Sequence, residues 1–320
     1  MDIIKSFNNL PISFDSSAVT LGNFDGVHLG HRELFRHLVK LARQLNIPSI
    51  VYTFNPHPLK FLAPDKAPLL LNTPKEKQRL IAASHIDYLI QSPFTAEFAM
   101  MSPEQFVADI LIAKLHVRSL VVGYNYSFGK GRGGNTEFLK ACGEKQGFSV
   151  KVMPPVGADG LPYSSTRIRT MIAAGDVAGV VRLLGRQYNL EGRVVPGDQR
   201  GRELGFPTAN LETEKELLPA SGVYAVKVRH GSQEYGGVVN IGTRPTFGDN
   251  PSTIEVHLLD FTGQLYNQNL RIYFVERLRG EQKFLNVEGL VDAISADVLR
   301  ARQILQPVQI IQYREYLSLK

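Results

Sequence analysis

His28 and His31 stand three residues apart in the run Gly22-Asn23-Phe24-Asp25-Gly26-Val27-His28-Leu29-Gly30-His31. If a helix opens across residues 28–31, both imidazoles share its first turn and can face one ligand. A helix start offers unpaired N–H groups and a positive dipole end, which suits a phosphate. Gly26 and Gly30 let a nucleotide approach the backbone closely, and Gly22, Asn23 and Phe24 belong to the same turn. Two imidazoles there can donate hydrogen bonds to a phosphorus centre as negative charge builds on it. No acid or base is strictly needed when the attacking group is itself a phosphate. The plainer reading makes one histidine a helix cap and packs the other beneath the sheet.

Further along, residues 164–169 read Ser-Ser-Thr-Arg-Ile-Arg. Ser165, Thr166 and Arg169 place two hydroxyls and a guanidinium at a helix start, a combination that clamps phosphate. Simple N-capping by the hydroxyls is compatible with that role. The chain has no Gly-x-x-x-x-Gly-Lys-Ser/Thr loop and no protein-kinase signature set, so any kinase activity needs another device. Residues 197–210 read Gly-Asp-Gln-Arg-Gly-Arg-Glu-Leu-Gly-Phe-Pro-Thr-Ala-Asn. Gly201 and Gly205 give a flexible, close-approach loop. Thr208 and Asn210 offer two neutral oxygen ligands, on one face if the segment is extended. Mg²⁺ takes a few protein oxygens and completes its shell with phosphate and water. Glu255 sits within an otherwise apolar strand-like run, where a carboxylate needs a partner or a task. A salt bridge is the structural alternative.

These residues need elements to carry them. In the first half, short apolar runs at 18–21, 49–54, 88–90, 120–122 and 149–153 read as buried strands. Helical patterns lie between them, with Leu34, Leu38, Leu41 and Leu45 on one face, and Phe106, Ile110 and Ala113 on another. Ser102-Pro103-Glu104-Gln105 carries a capping-box signature with proline at the first helical position. Alternating strands and helices imply a parallel sheet covered on both faces, with ligands at the carboxyl ends of the strands. After about residue 186 the texture changes. Runs at 223–229, 235–241, 254–261 and 270–278 follow one another without helices, which suggests an antiparallel barrel or sandwich. A closing helix over roughly 287–305 shows Leu290, Ile294, Val298 and Ile304 on one face, and Pro307 ends it. Helices between 165 and 184 form the seam. Domains of residues 1–186 and 187–320 follow, with 307–320 an unassigned tail.

Composition sets the bounds. At 320 residues the chain has room for two domains, and 43% hydrophobic with 21% charged residues is ordinary for a globular protein. No run approaches the roughly 20 apolar residues of a membrane helix, and the N-terminus lacks the sections of a signal peptide. Cys142 is the only cysteine, which rules out an intrachain disulfide and disfavours a cysteine zinc site. A cytoplasmic enzyme is expected. The net charge of +6 is dispersed, with no block of five or six basic residues together. Polyphosphate ligands fit that pattern better than nucleic acid.

The His-x-Gly-His element resembles that of the nucleotidyltransferase superfamily, which it shares with class I aminoacyl-tRNA synthetases. Residues 53–58 (Thr-Phe-Asn-Pro-His-Pro), 122–129 (Val-Gly-Tyr-Asn-Tyr-Ser-Phe-Gly) and 164–169 resemble the motifs of bacterial FAD synthetases, in order and spacing. The segment Gly-Phe-Pro-Thr-Ala-Asn, with Pro207, Thr208 and Asn210, closely resembles the motif of riboflavin kinases. Residues 239–247 and 253–257 match further segments of that family. The resemblance implies a Rossmann-like α/β nucleotidyltransferase domain followed by a six-stranded antiparallel barrel with a C-terminal helix. It implies FMN formation from riboflavin and ATP on the barrel, then FAD and pyrophosphate from FMN and ATP at the first site. By the same carry-over His28 and His31 contact the α-phosphate region, while Ser165, Thr166 and Arg169 hold the β- and γ-phosphates. Thr208 and Asn210 hold Mg²⁺–ATP, and Glu255 is the general base. Asn125 departs from the Asp that many relatives carry at its position, which argues against an acidic or metal-binding role there and leaves hydrogen bonding to a ligand open. His57, between two prolines, either lines the first site or is structural. The partners implied are small molecules, with neither nucleic acid nor membrane among them, and a homo-oligomer is compatible with everything above.

Two other readings compete. One is a nucleotidyltransferase whose C-terminal module only binds flavin or regulates; the presence of Thr208, Asn210 and Glu255 together argues against it. The other is an RNA-binding or tRNA-charging protein, and the chain lacks a Lys-Met-Ser-Lys-Ser loop and a concentrated basic face.

Overall fold

A computed structural model of the chain describes residues 1–5, 14–158, 160–197, 200–243 and 252–311. They fall into two compact units that divide between Ser164 and Ser165.

The first unit is built on a six-stranded parallel sheet. Its strands are β1 (Asp2–Ile4), β2 (Ser17–Leu21), β3 (Ser49–Phe54), β4 (Tyr88–Ser92), β5 (Val117–Gly123) and β6 (Ser149–Met153), in the order β1-β4-β3-β2-β5-β6. β2 and β3 are buried along almost their whole length, as their unbroken apolar runs require of a sheet covered on both faces. The short edge strand β1 had no apolar run to announce it; it is placed by parallel pairing of residues 2–4 with 88–90 on β4. The Leu29–Leu45 helix buries Leu34, Phe35, Leu38, Val39 and Ala42. Its core face is therefore turned from the expected leucine stripe, leaving Leu41 and Leu45 half-buried. It stops at Asn46, whose left-handed backbone (φ 53°) returns its N–H to the carbonyls of Ala42 and Arg43.

The capping box at Ser102 forms as expected, with Gln105 N–H on Ser102 Oγ and Ser102 N–H on Gln105 Oε1. The stretch after it departs from an α-helix. Phe106–Ile112 is π-helical, and the wider turn lets Phe106, Val107, Ile110 and Leu111 all reach the core. A small antiparallel pair, β7 (Gly157–Ala158) with β8 (Leu161–Pro162), ends the unit.

The second unit begins with the Ser165–Ala173 and Val181–Leu184 helices and continues into a closed antiparallel barrel. Its strands are β9 (Asn189–Val195), β10 (Ala209–Thr213), β11 (Gly222–His230), β12 (Gln233–Thr243), β13 (Ser252–Leu258) and β14 (Asn269–Arg279), in the order β10-β13-β12-β11-β14-β9. Barrel is thus the outcome of the barrel-or-sandwich alternative. The two strands without long apolar runs, β9 and β10, close it. The Val287–Leu305 helix packs on β11, β12 and β14 through Ala301 and Leu305, flanked by Val298 and Ile304. It also buries Asp297, whose carboxylate meets the Arg279 guanidinium of β14 at 2.8 Å. Past Pro307, the chain is held by Gln187, which donates to the Gln309 carbonyl at 2.9 Å and accepts from Ile311 N–H at 2.9 Å.

Candidate active site

Strand order reverses around β2, which has β3 on one side and β5 on the other. In doubly wound sheets the ligand crevice opens at the carboxyl ends of the strands where this happens. Register places Thr20 opposite Val121, so Gly22 and Gly123 leave the sheet side by side. The Gly22–Asn23–Phe24 turn and the exposed Asn125 thus emerge at that switch point.

His28 is the N-cap of the Leu29–Leu45 helix, its Nδ1 accepting from His31 N–H at 3.3 Å. A neutral His28 with an occupied Nδ1 carries its proton on Nε2. The His31 ring stacks on it, with centroids 3.6 Å apart and planes 20° from parallel. A Cβ on Gly30 would come within 3.2 Å of the His28 ring, so glycine there gives the ring its seat. Phe24 lies edge-on to His31 at 5.3 Å, and its ring folds back over Gly22. Gly26 has φ +83° and touches Leu71, so a side chain there meets both strain and a clash. His57 caps the Pro58–Leu62 helix through Nδ1 and meets the Asn23 amide through Nε2 at 3.1 Å.

In the second unit, Ser165 starts its helix and lies one turn before Arg169, both half-buried, while Thr166 is exposed. Sequence spacing thus puts the Ser165 and Arg169 positions on one helix side.

On the barrel, Glu255 pairs with Asn210 of β10 and with Asn240 of β12. Paired residues share a face, so the carboxylate is flanked by two amide-bearing positions in one cross-strand row. A Cβ on Gly197 would collide with the Asn210 amide, and one on Gly201 would meet the Phe206 carbonyl and Thr208 Oγ1. Both glycines are cradles for the two oxygen-bearing side chains. Gly205 takes φ +85° in the turn between them. Pro207 has its carbonyl bound by His257 Nδ1 at 2.8 Å, and the Phe206 ring stands edge-on to the same imidazole. A cavity of about 400 Å³ opens beside Pro207 and Thr208, lined also by Ala209, Val256, Phe261 and Tyr266. Ala209 and Val256 form the pair next to Asn210–Glu255, so cavity and carboxylate lie on opposite faces of β10–β13. Residues 198–199 and 244–251, parts of the segments singled out in the sequence, lie outside the described residues.

Thr208, Asn210 and Glu255 are hard oxygen donors, a set that fits Mg²⁺ and not a softer metal. Among the described residues no three His, Cys, Asp or Glu side chains cluster as a metal cage.

The family model for FAD synthetase matches residues 11–167, and that for riboflavin kinase matches residues 184–305. The bifunctional riboflavin kinase/FMN adenylyltransferase of Pseudomonas fluorescens is 39% identical over 96% of this chain and 99% of its own length. That of Escherichia coli K12 is 38% identical over 95% and 97%. The chain belongs to the bifunctional riboflavin kinase/FMN adenylyltransferase family. A crystal structure described as a macrolide-efflux protein from Streptococcus pneumoniae shares the fold of this family member, at 33% identity and a TM-score of 0.84 over 94% of this chain and 98% of that one. Among the described residues no helix is long and apolar enough to cross a membrane.

Three polar groups of this family member escaped the motif reading. Asn240 and His257 lay inside matched segments without a role, because their meaning depends on strand register. Lys77 lay outside every motif. Its ammonium donates to the Asn23 carbonyl at 2.9 Å, and burial, partly opposed by Asp25, pulls its pKa down to about 8. The Tyr52 and Tyr126 hydroxyls are pushed well above their usual range by burial and stay protonated.

Proposed function

We propose that this chain makes FAD in two steps, phosphorylating riboflavin to FMN on the barrel and adenylylating FMN in the first unit. Support comes above all from Glu255 standing opposite Asn210 in the half matched by the riboflavin kinase model. ATP is the donor in both steps. On the barrel, Glu255 takes the proton of the ribityl 5′-hydroxyl as that oxygen bonds to the γ-phosphorus and ADP departs. Thr208 and Asn210 would hold Mg²⁺, which when bound neutralises phosphate charge.

In the first unit an FMN phosphate oxygen bonds to the α-phosphorus of ATP and pyrophosphate leaves. His28, with its ring proton on Nε2, and His31 donate to the oxygens on which charge accumulates. The helix N-terminus adds its dipole. Asn125 hydrogen-bonds a ligand at the end of β5, and Ser165, Thr166 and Arg169, two hydroxyls and a guanidinium at a helix start in the second unit, are a clamp for phosphate oxygens. The reactions need only small molecules, and we place the enzyme in the cytoplasm, where ATP is available.

Purified protein incubated with riboflavin, ATP and Mg²⁺ should accumulate FMN and then FAD, separable by chromatography. Excess chelator should stop both steps. If neither flavin nucleotide appears, the reading is wrong.

A further inference from the structure

Lys77 has no part in the reaction as described, yet its charge is half-buried against the nucleotide loop. It lies on the Pro74–Ala82 helix, whose start is fixed by Thr73 accepting from Glu76 N–H at 3.2 Å. Its Nζ donates to the Asn23 carbonyl at 2.9 Å and stands 3.5 Å from Thr53 Oγ1. The buried Thr53 hydroxyl donates to the same carbonyl at 3.2 Å. One backbone oxygen therefore receives two donors from two different elements, β3 and the Pro74–Ala82 helix.

The loop anchored in this way is not a relaxed one. Phe24, Gly26 and Val27 have φ of 48°, 83° and 38°. A β-branched residue such as Val27 is rarely found at positive φ, and such a backbone persists only where its surroundings impose it. The surroundings do so at three points. Lys77 and Thr53 fix Asn23. Asp25, itself buried, accepts from Leu71 N–H at 3.0 Å and Asn72 N–H at 3.3 Å. His28 then closes the loop as helix cap. The ammonium sits on a long, flexible side chain drawn partly out of water, and the Asn23 carbonyl and the Asp25 charge offset only part of the cost of that burial.

We infer that Lys77 is a positioning residue for adenylyl transfer: it holds the Asn23 carbonyl toward β3, so that residues 22–28 keep the shape that presents their N–H groups and the His28 ring to the nucleotide phosphates. The inference rests on the adenylyltransferase role assigned to the first unit. Lys77 touches no reacting atom and acts through the loop.

The test uses the full chain with Lys77→Met, which keeps the stem and removes the donor, and Lys77→Arg, which restores a cation. Steady-state FMN adenylylation and riboflavin phosphorylation are measured on the same preparations. Displacement of a catalytic group by about 1 Å can cost on the order of 100-fold. Lys77→Met should therefore lower kcat for adenylylation by roughly 10- to 100-fold, with phosphorylation within about twofold of wild type. Lys77→Arg should recover most of the loss. Adenylylation unchanged in Lys77→Met overturns the inference, as does parallel loss of both activities, or a loss that Lys77→Arg does not relieve. If wild-type protein itself makes no FAD from FMN, the adenylyltransferase role fails first, and the inference with it.

Discussion

Glu255 and Asn210 face each other across the antiparallel pair β10–β13, and Glu255 faces Asn240 across β12–β13. The proposed proton acceptor and the proposed Mg²⁺-side residue are therefore fixed to each other by sheet register and not by a flexible loop. Loss of a general base typically costs 10²- to 10⁴-fold. Glu255→Gln should slow riboflavin phosphorylation by about that factor and leave FMN adenylylation intact. Unchanged phosphorylation would sink the assignment.

Gly30 supports the His28 ring from below. In Gly30→Ala the new methyl sits about 3.2 Å from Cε1 and Nδ1 of His28, so the ring must tilt. Adenylylation should fall by roughly tenfold in Gly30→Ala and by about 10²- to 10³-fold in His28→Ala, the scale of a lost transition-state donor. Phosphorylation should survive both changes. Full adenylylation by Gly30→Ala would show that the ring's seat does not matter.

His257 links β13, the strand that carries Glu255, to the Thr208 loop through the Pro207 carbonyl. One such hydrogen bond is worth about 1 kcal/mol, or roughly fivefold. His257→Ala should raise KM for ATP in the kinase step by about that factor, with kcat less affected. His257→Asn, whose amide nitrogen can stand near Nδ1, should restore it. Equal KM in the alanine variant is the contrary result.

Lys77 makes stability depend on pH in a defined direction. Its pKa is about 8 in the folded chain against 10.5 as a free group, so between those values the unfolded state holds the extra proton. Stability linked to this residue therefore rises as pH goes from about 8 to about 10.5, and below 8 the cost of burying the charge is borne in full. Allowing for solvent screening of a half-buried side chain, about 2 kcal/mol is involved. Urea midpoints of wild type and Lys77→Met, compared at pH 7 and pH 10, should show wild type gaining on the variant. A constant difference would contradict this.

Asp297 is 8% exposed and bound by both Nε and Nη2 of Arg279. Asp297→Ala leaves that guanidinium against an apolar helix face, and removal of one partner from such a pair costs about 3 kcal/mol. Thermal unfolding should shift down accordingly, with both activities retained at low temperature. An unchanged midpoint would mean that the pair contributes nothing.

Local chemistry was legible in the chain itself. The apolar runs of β2 to β5 read as buried strands because a parallel sheet hides both faces, whereas 149–153, read the same way, forms the edge strand β6 and buries only Met153 fully. The capping box at Ser102 and the helix start at His28 depend on neighbours within four residues, and both formed where the residues called for them. The Val287–Leu305 helix likewise stops before the Pro307 that breaks its pattern. The motifs around His28 and Thr208 carry the family resemblance in the sequence alone.

What depended on distant partners was not legible. The strip of the Leu29–Leu45 helix that is buried, the π-helical turn at 106–112 and the edge strand β1 were all set by the surface each segment met. Barrel closure by β9 and β10 came from pairing, since neither carries an apolar run long enough to declare itself. The same holds for the polar groups. Nothing in the sequence marks Asp297 as the partner of Arg279 on β14, or Lys77 as a donor to the Asn23 carbonyl; the fold brings each pair together. Sequence determines what a residue can donate, accept or bury; only tertiary structure decides which atom it meets, because contact across 50 or 100 residues is a property of the closed chain.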